Sequence, residues 1–361
     1  MSVVETLVAC GFWFCIFVVL FSLLLIVVSY QLREKQNRLL YHPEIPAEST
    51  LICENPMDRG FANAENVHIR TADGVTLRGF IMWPWPGQHA AQQGATTGAF
   101  RSQGSGMNVG IPLSSSSTTP RDSLFPSPLY AVIYFHGNSG NVGHRIPIAE
   151  LLTSKNPCAV LMVDYRGFGL SDAVPPTEEG LKLDAQACLE YLWNHPRIPQ
   201  GRIFVMGTSL GGAVAIDLAS RRMNMKRIAG VIIENTFTSI SDMASVLVRA
   251  MLRQFLTSYT EIFFSVFDYY MKPLCLRIGW RNIDLVKRIR VPLLFLSGKS
   301  DELVPPSQMQ RLYAATSKSN VMRKFVEFAE GAHNTLPLMG GYSEVIDVFV
   351  QEVLRLEAEL V

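Results

Sequence analysis

The sequence predicts an α/β fold, in which a mostly parallel, doubly wound sheet is preceded by one membrane-spanning helix. Two observations carry this prediction. From Tyr130 onward, apolar runs of strand length alternate with longer stretches of helical periodicity, as in parallel strands joined by crossover helices. Before them, residues 7–30 are apolar almost throughout. At about 1.5 Å per residue, a helix of this length crosses a bilayer of about 30 Å.

The composition limits the class of protein. A chain of 361 residues with 48% hydrophobic content can build one large α/β domain in addition to an anchor. Its formal net charge of +1 gives no electrostatic footprint for nucleic acid, and no such partner is predicted. The six cysteines lack metal-site spacing and a disulfide framework, so neither a metal nor another cofactor is predicted. Cys158 and Cys188 are interpreted as core residues, and all six fit a reducing compartment.

The apolar N-terminal segment is interpreted as a retained anchor, which makes the protein a single-pass membrane protein. A cleaved signal peptide would have a basic start and a shorter apolar run. Here Glu5 precedes the run without any Lys or Arg, whereas Arg33, Lys35 and Arg38 follow it. The positive-inside rule then places the following domain in the cytosol.

Three segments lead from the anchor to the parallel strands. Residues 31–60 are polar and punctuated by prolines, and they are predicted to link the anchor to a domain at 61–358. Residues 65–83 alternate in hydrophobicity on both sides of Asp73-Gly74, which predicts an antiparallel hairpin. Residues 87–128 have low complexity and little apolar content, and we predict a disordered insert.

Parallel strands are predicted where a short apolar run precedes a helical pattern, at 130–135, 159–163, 203–206, 231–233, 293–296 and 325–328. One stretch breaks this alternation. Residues 243–289 are much longer than one crossover helix and rich in aromatic residues, and we predict a helical lid insert. Its aromatic residues, which include Phe263, Phe267 and Trp280, form either a helix core or an outer face that touches the membrane.

The G-x-S-x-G motif at residues 207–211 is the most informative feature of the chain. It lies directly after the predicted strand at 203–206 and before a helical pattern that includes Ala213. Strand, sharp turn and helix are the context in which a serine is presented as a nucleophile. The glycines leave the room that a strained turn and a close strand–helix approach require. Ser209 is therefore the predicted nucleophile; the alternative is a glycine-rich turn without chemistry.

Two further loops supply the partners that a serine nucleophile needs. The predicted strand at 293–296 runs into a loop that contains Asp301, and the strand at 325–328 runs into a loop that contains His333. The order serine, acid, histidine, each after a strand of one sheet, is that of the α/β-hydrolase fold. His333 would take the proton of the Ser209 hydroxyl, and Asp301 would orient the imidazole and stabilise the imidazolium.

Other acidic and imidazole side chains compete for these roles. Glu302 is expected to point away from the position of Asp301. Asp164 and Glu234 also end strands, where some hydrolases carry the acid, and Asp164 is interpreted as structural. Three other histidines are interpreted as turn, surface or packing residues: His68, His136 and His195.

The loop after the strand at 130–135 is predicted to supply the oxyanion hole. Its sequence, His-Gly-Asn-Ser-Gly-Asn at 136–141, turns sharply out of the strand. A main-chain N–H of this loop, together with that of Leu210, would stabilise the developing negative charge. Asn138 is the predicted loop donor, with Ser139 as the second choice.

Six segments resemble the membrane-anchored α/β-hydrolase domain-containing protein 13 group, at 136–145, 163–171, 207–216, 233–239, 297–306 and 331–334. The resemblance covers most of residues 39–355 apart from the insert. It implies an α/β-hydrolase fold with Ser209 as nucleophile, Asp301 as acid and His333 as base. The group is similar in turn to cytosolic hydrolases that remove palmitate from proteins, and its members are often assigned a lumenal catalytic domain.

Two features depart from that group. Thr208 stands where a larger residue, often Arg, is expected in the pocket wall, and the insert at 87–128 is absent from typical members. The resemblance therefore implies the catalytic residues more strongly than it implies the substrate.

These features predict a membrane-anchored serine hydrolase that cleaves an acyl ester or thioester of a lipid or a palmitoylated protein. A serine peptidase or aminopeptidase would use the same three residues, but the sequence contains no propeller or other gating domain that selects peptides. The third hypothesis is a catalytically silent scaffold. Such a scaffold would be expected to have lost a member of the triad, and this sequence retains all three.

Overall fold

The structure is a computed structural model that describes residues 3–85, 125–255, 260–317 and 322–359. The predicted disordered insert at 87–128 lies outside the described residues except for its last four positions. The described residues form one eight-stranded sheet. Its strands are β1 Ala64–Arg70, β2 Thr76–Met82, β3 Tyr130–Phe135, β4 Cys158–Val163, β5 Ile203–Thr208, β6 Ile228–Glu234, β7 Leu293–Gly298 and β8 Arg323–Phe328.

The sheet is antiparallel at its first edge and parallel elsewhere, in the order β1-β2-β4-β3-β5-β6-β7-β8. β1 and β2 form the predicted hairpin, and Gly74 in its turn has a left-handed φ of 86° that favours glycine. β2 pairs antiparallel with β4, and the remaining neighbours pair in parallel. The mostly parallel α/β fold is thereby confirmed.

Helices cover both faces of this sheet. On one face Leu189 and Ala213 pack into the core, and on the other face Ile146 and Phe349 do so. Because both faces are covered, β3 to β7 are buried along their whole length, which explains their nearly continuous apolar runs. The α-helices are α1 Val3–Leu40, α2 Ile146–Lys155, α3 Glu178–Trp193, α4 Leu210–Ser220, α5 Ile240–Phe255, α6 Thr260–Val266, α7 Lys272–Cys275, α8 Asn282–Leu285, α9 Pro306–Ala315 and α10 Tyr342–Glu359.

The N-terminal helix differs from its predicted extent. α1 is long and apolar enough to cross a membrane, and most described side chains of its apolar part are exposed. It does not end near residue 30, however, but continues to Leu40. Residues 31–40 contain no glycine or proline and several strong helix formers, so the polarity that suggested a linker belongs to a helix. Gln36 and Tyr41, both inside the predicted linker, are buried.

The described residues of the predicted lid at 243–289 are mostly helical, but the last part of the segment belongs to the core. α5, α6 and α7 leave the sheet after β6, with a π-helical turn at Phe267–Met271. Pro273 lies near the start of α7, where in a regular helix its ring would clash with the carbonyl four residues earlier, and the wider π-helical turn before it accommodates the ring. From Ile278 onward the chain returns to the core. Trp280, predicted as a lid aromatic, is fully buried there.

Candidate active site

The site lies where the winding of the sheet reverses. β3 and β5 are neighbours, but the chain passes from β3 to β4 on one side and from β5 to β6 on the other. A crevice forms outside the carboxyl ends of strands at such a point. Residues 136–139 follow β3 and Ser209 follows β5. The predicted oxyanion loop and the predicted nucleophile therefore end on the same crevice.

Ser209 forms a strained elbow between β5 and α4. Its φ of 55° and ψ of −117° lie in a region that residues with a Cβ rarely adopt. Hydrogen bonds to the segment after β6 hold this conformation. The Ser209 N–H donates to the Glu234 carbonyl at 2.9 Å, and its carbonyl accepts from the Thr236 hydroxyl at 2.6 Å. The side chain itself remains half-buried at the crevice.

Glycine is required on both sides of this elbow. A Cβ on Gly207 would lie 2.1 Å from the Gly211 carbonyl oxygen, and a Cβ on Gly211 would lie 1.9 Å from the Phe135 carbonyl oxygen. These distances are far below van der Waals contact, so any side chain would push β3, β5 and α4 apart. The steric reason given for the motif therefore holds in the structure.

The three predicted triad residues come together from three strand ends. The Ser209 Oγ lies 3.1 Å from the His333 Nε2, and the His333 Nδ1 lies 2.7 Å from the Asp301 Oδ2. The other carboxylate oxygen, Oδ1, accepts from the N–H groups of Leu303 at 2.9 Å and Val304 at 2.8 Å. The carboxylate therefore favours the tautomer with the proton on Nδ1, which leaves Nε2 free to accept the hydroxyl proton.

Asn235 holds the loops of the triad together, and sequence reasoning gave it no role. Its amide nitrogen donates to the carbonyls of Ala332 at 3.2 Å and His333 at 3.0 Å. Its amide oxygen accepts from the Gly298 N–H at 2.8 Å. One side chain thus joins the ends of β6, β7 and β8. The available signal was an asparagine directly after a buried strand, with a φ of 42° that asparagine tolerates better than most residues.

The competing carboxylates have other environments. Glu302 is exposed. Glu234 is buried and accepts a hydrogen bond from the Tyr342 hydroxyl at 2.6 Å, and burial raises the pKa of its carboxyl group to about 7. Burial likewise raises the pKa of Asp164 to about 8. Its Oδ1 accepts from the Val142 N–H at 2.9 Å, in agreement with the structural interpretation.

The other histidines of interest lie away from this relay. His136 directly follows β3 and is fully buried, and burial lowers the pKa of its imidazole to about 3. Its Nδ1 donates to the Gly137 carbonyl at 2.8 Å, as expected of a neutral turn residue. His68 is exposed on β1, 3.0 Å from the Arg78 guanidinium, and His195 packs against a tryptophan ring.

The predicted oxyanion loop borders the nucleophile. A Cβ on Gly137 would lie 3.8 Å from the Ser209 Cβ, which puts the loop in van der Waals contact with the elbow. Leu210 is the first residue of α4, so its N–H has no acceptor within the helix. Asn138 forms hydrogen bonds through its side chain and its main chain. Its side-chain amide nitrogen donates to the Leu40 carbonyl at 3.0 Å, and its main-chain carbonyl accepts from the His42 N–H at 2.9 Å.

Thr208 does not form a pocket wall as expected. It is buried below the elbow, and its hydroxyl lies 3.0 Å from the Tyr134 hydroxyl. A larger side chain would have to displace this buried hydrogen bond. The position therefore belongs to the packing beneath Ser209 rather than to the surface that a substrate meets.

Sequence comparison identifies relatives over most of the chain. The family model described as alpha/beta hydrolase fold matches residues 130–268. The protein Bem46 of Schizosaccharomyces pombe is 34% identical over 88% of this chain and 86% of its own length. WAV2 of Arabidopsis thaliana, an alpha/beta hydrolase domain-containing protein, is 39% identical over 58% of this chain and 65% of its own length. An uncharacterised membrane protein of Saccharomyces cerevisiae is 34% identical over 60% of this chain and 68% of its own length.

Solved structures share the fold at lower identity. An esterase of Pyrococcus furiosus superposes with a TM-score of 0.57 and 20% identity, covering 87% of this chain and 97% of that chain. An acetyl xylan esterase from Paenibacillus sp. R4 superposes with a TM-score of 0.50 and 17% identity, covering 90% of this chain and 98% of that chain. These two likenesses concern the fold.

Proposed function

Because the chain belongs to the alpha/beta-hydrolase family that includes Bem46, we propose that it is a membrane-anchored serine hydrolase of acyl esters or thioesters. The observation that carries this proposal is the hydrogen-bonded relay from Ser209 through His333 to Asp301. In this relay a strained serine lies within hydrogen-bond distance of an imidazole, and a buried carboxylate orients that imidazole. This is the arrangement for nucleophilic acyl transfer.

In this proposal the reaction has two halves. His333 takes the proton of Ser209 as its oxygen attacks the acyl carbonyl, and the N–H groups of Leu210 and Asn138 stabilise the oxyanion. His333 then protonates the alcohol or thiol that leaves. Water, activated by the same imidazole, hydrolyses the acyl-enzyme and regenerates the serine. Asp301 orients the imidazole and stabilises the imidazolium in both halves.

The membrane part of the proposal rests on two exposed apolar surfaces. The apolar part of α1 exposes Phe12, Trp13 and further large hydrophobic side chains. The described lid residues also expose apolar groups, among them Ile262 and Phe263. Exposed apolar area of this extent is unfavourable in water and favourable in lipid. We therefore propose a lipid or an acylated protein as the substrate, with the domain on the side of the membrane where Arg33, Lys35 and Arg38 lie.

The direct test is covalent labelling with a fluorophosphonate. We expect the wild-type protein to be labelled at Ser209, and Ser209→Ala to be unlabelled while its unfolding midpoint stays unchanged, because alanine meets the same backbone strain. Equal labelling of the alanine variant would refute the nucleophile assignment.

A panel of substrates then separates the classes of reaction. Esters and thioesters from acetyl to palmitoyl should show KM values that fall with chain length, since each buried methylene contributes about 0.8 kcal/mol. A flat profile, together with hydrolysis of peptide amides, would favour the peptidase alternative. If the wild-type protein were neither labelled by fluorophosphonate nor active on any substrate of the panel, the silent scaffold would be favoured. The narrower grouping with domain-containing protein 13, including its resemblance to depalmitoylating enzymes, is part of this proposal and depends on the thioester result.

A further inference from the structure

The C-terminal end of α1 is bonded directly to the predicted oxyanion loop. The Leu40 carbonyl, at the end of the helix, accepts from the Asn138 amide group at 3.0 Å. Two residues later, the His42 N–H donates to the Asn138 carbonyl at 2.9 Å, and His42 also forms a parallel β-bridge with Ser139. Residues that follow the membrane segment therefore fix both the side chain and the main chain of Asn138.

The same helix end is hydrogen-bonded to residues 277–280, where the chain returns from the lid to the core. The Gln36 side-chain oxygen accepts from the N–H groups of Arg277 at 2.8 Å and Ile278 at 3.0 Å. The Trp280 indole donates to the Tyr41 hydroxyl at 3.1 Å, and both rings are buried. Since these partners lie about 240 positions apart in sequence, the contacts join the N-terminal helix to the domain as tertiary structure.

We infer that this end of α1 positions the oxyanion hole, with Asn138, Gln36 and Tyr41 as positioning residues; the inference rests on the proposed function. The side-chain amide nitrogen of Asn138 is held by the end of α1 and its main-chain carbonyl by His42, and its main-chain N–H is the proposed donor to the oxyanion. Such a donor acts only at about 2.7–3.1 Å from the developing charge, so small displacements of the loop matter. The C-terminal end of the helix that contains the apolar segment is thus also part of the catalytic scaffold.

The test uses the full chain in detergent micelles with p-nitrophenyl butyrate. Asn138→Ala keeps the main-chain N–H and its carbonyl bond to His42 but removes the side-chain bond to Leu40, so kcat should fall about 10- to 100-fold while KM stays within about twofold, because the oxyanion exists only in the transition state. Affinity for a trifluoromethyl ketone, which forms a tetrahedral adduct on the serine, should fall by a factor similar to that of kcat/KM. A purely structural defect would instead reduce the number of active sites. This number is measured by titrating the protein with fluorophosphonate until labelling is complete.

A second variant tests the contact with the chain after the lid, and a third serves as its control. Gln36→Leu breaks the contact with residues 277 and 278 without altering the crevice, and should lower kcat per titrated site by about 3- to 10-fold, with KM unchanged. Arg38→Ala changes an exposed side chain of the same helical turn and should leave kcat unaltered.

Unaltered kcat per titrated site in Asn138→Ala would overturn the inference. If that variant does not fold, an unaltered kcat per site in Gln36→Leu would overturn it instead. Absence of labelling in the wild-type protein is a separate result, because it contradicts the proposed function itself.

Discussion

Glu234 is a buried carboxyl group on the strand next to the nucleophile. Burial raises the pKa of this group from 4.5 to about 7, although the hydrogen bond from the Tyr342 hydroxyl opposes the shift. Between these two pH values the folded protein binds a proton that the unfolded chain has released. The free energy of unfolding must therefore fall as the pH rises from about 4.5 to about 7 on account of this group.

Glu234→Gln should remove that contribution. The glutamine oxygen can still accept from Tyr342, but it carries no charge to desolvate, so stability should fall less from pH 4.5 to 7.5. The difference should be about 3 kcal/mol at the upper end, given about 1.4 kcal/mol for each pKa unit of the shift from 4.5 to about 7. Urea unfolding across this range measures it. Glu302→Gln, at an exposed carboxylate, is the control, and an identical pH slope in all three proteins would contradict the prediction.

The same variant separates the two candidate acids of the triad. Asp301→Asn should lower kcat by about 10⁴-fold, because an amide group that donates to Nδ1 places the imidazole proton on Nε2 and blocks its action as a base. Glu234→Gln should retain kcat within about tenfold, since Glu234 bonds to Tyr342 and not to the imidazole ring of His333. Steady-state kinetics on one soluble ester decides the matter. The reverse outcome would move the acid to the end of β6.

At this scale the sequence identifies residues whose chemistry depends on position after a strand. Ser209, Asp301 and His333 each follow an apolar run, and that position brings them to one edge of a parallel sheet. The role of Asn235, and the contacts that hold the predicted donor Asn138, could not be found in the same way, because their partners are main-chain groups remote in sequence. Only the folded backbone determines which carbonyl or N–H such an amide meets.

Among the elements, strands that are apolar throughout were predicted most accurately. β3 has its predicted bounds, whereas β6 begins three residues before the predicted strand at 231–233. Gly230 interrupts the apolar run at the start of β6. In the structure its missing side chain allows contact with neighbouring rings, since a Cβ would lie 3.0 Å from Phe204 and 3.3 Å from Phe349. The prediction also placed the end of α1 too early, near residue 30. Polar residues in its last turns, such as Gln36, contact partners that are remote in sequence, and the sequence pattern alone does not show this.

The described lid surface leads to a prediction about α6. Phe263 and Ile262 are more than half exposed, and burial of a phenylalanine in lipid contributes about 1.5–3 kcal/mol. Phe263→Glu should therefore lower the hydrolysis of substrates embedded in vesicles by about tenfold or more. Hydrolysis of a soluble short-chain ester should not change. Phe267, in the π-helical turn, is half-buried and so more buried than Phe263. Substitution there would also disturb packing, which makes it a less direct probe.

The matched control for Phe263→Glu is Ser265→Glu. Ser265 is exposed on the same helix, about 200° further around its axis, so the same charge is added on another side. Flotation of the two variants with vesicles should show weaker association for the first alone. Equal rates on vesicle substrate for both variants would mean that this side of α6 does not enter lipid.

For the whole molecule, α1 combines the proposed membrane anchor with contacts to the predicted oxyanion loop, two features that the sequence suggested were separate. An anchor followed by a polar linker would leave the domain free to move relative to the bilayer. A continuous helix whose end binds Asn138, Trp280 and the chain at 277–278 instead couples the domain to the direction of the helix. The hydropathy of the N-terminus was sufficient to predict the helix. Its coupling to the domain depends on tertiary contacts, which no local pattern contains.

Removal of residues 1–35 should separate the two roles. The shortened protein keeps Gln36, Tyr41 and His42 but loses the apolar part of α1, so kcat/KM on a soluble short-chain ester should stay within about threefold of wild type. On substrates embedded in vesicles the rate should fall at least about tenfold, because the enzyme is no longer held at high effective concentration beside its substrate. An unrelated transmembrane helix fused in phase before Gln36 should restore the vesicle rate. If the shortened protein instead lost activity equally on both substrates, the apolar part of α1 would be required for the fold of the site, and its exposed side chains would need an explanation other than anchoring.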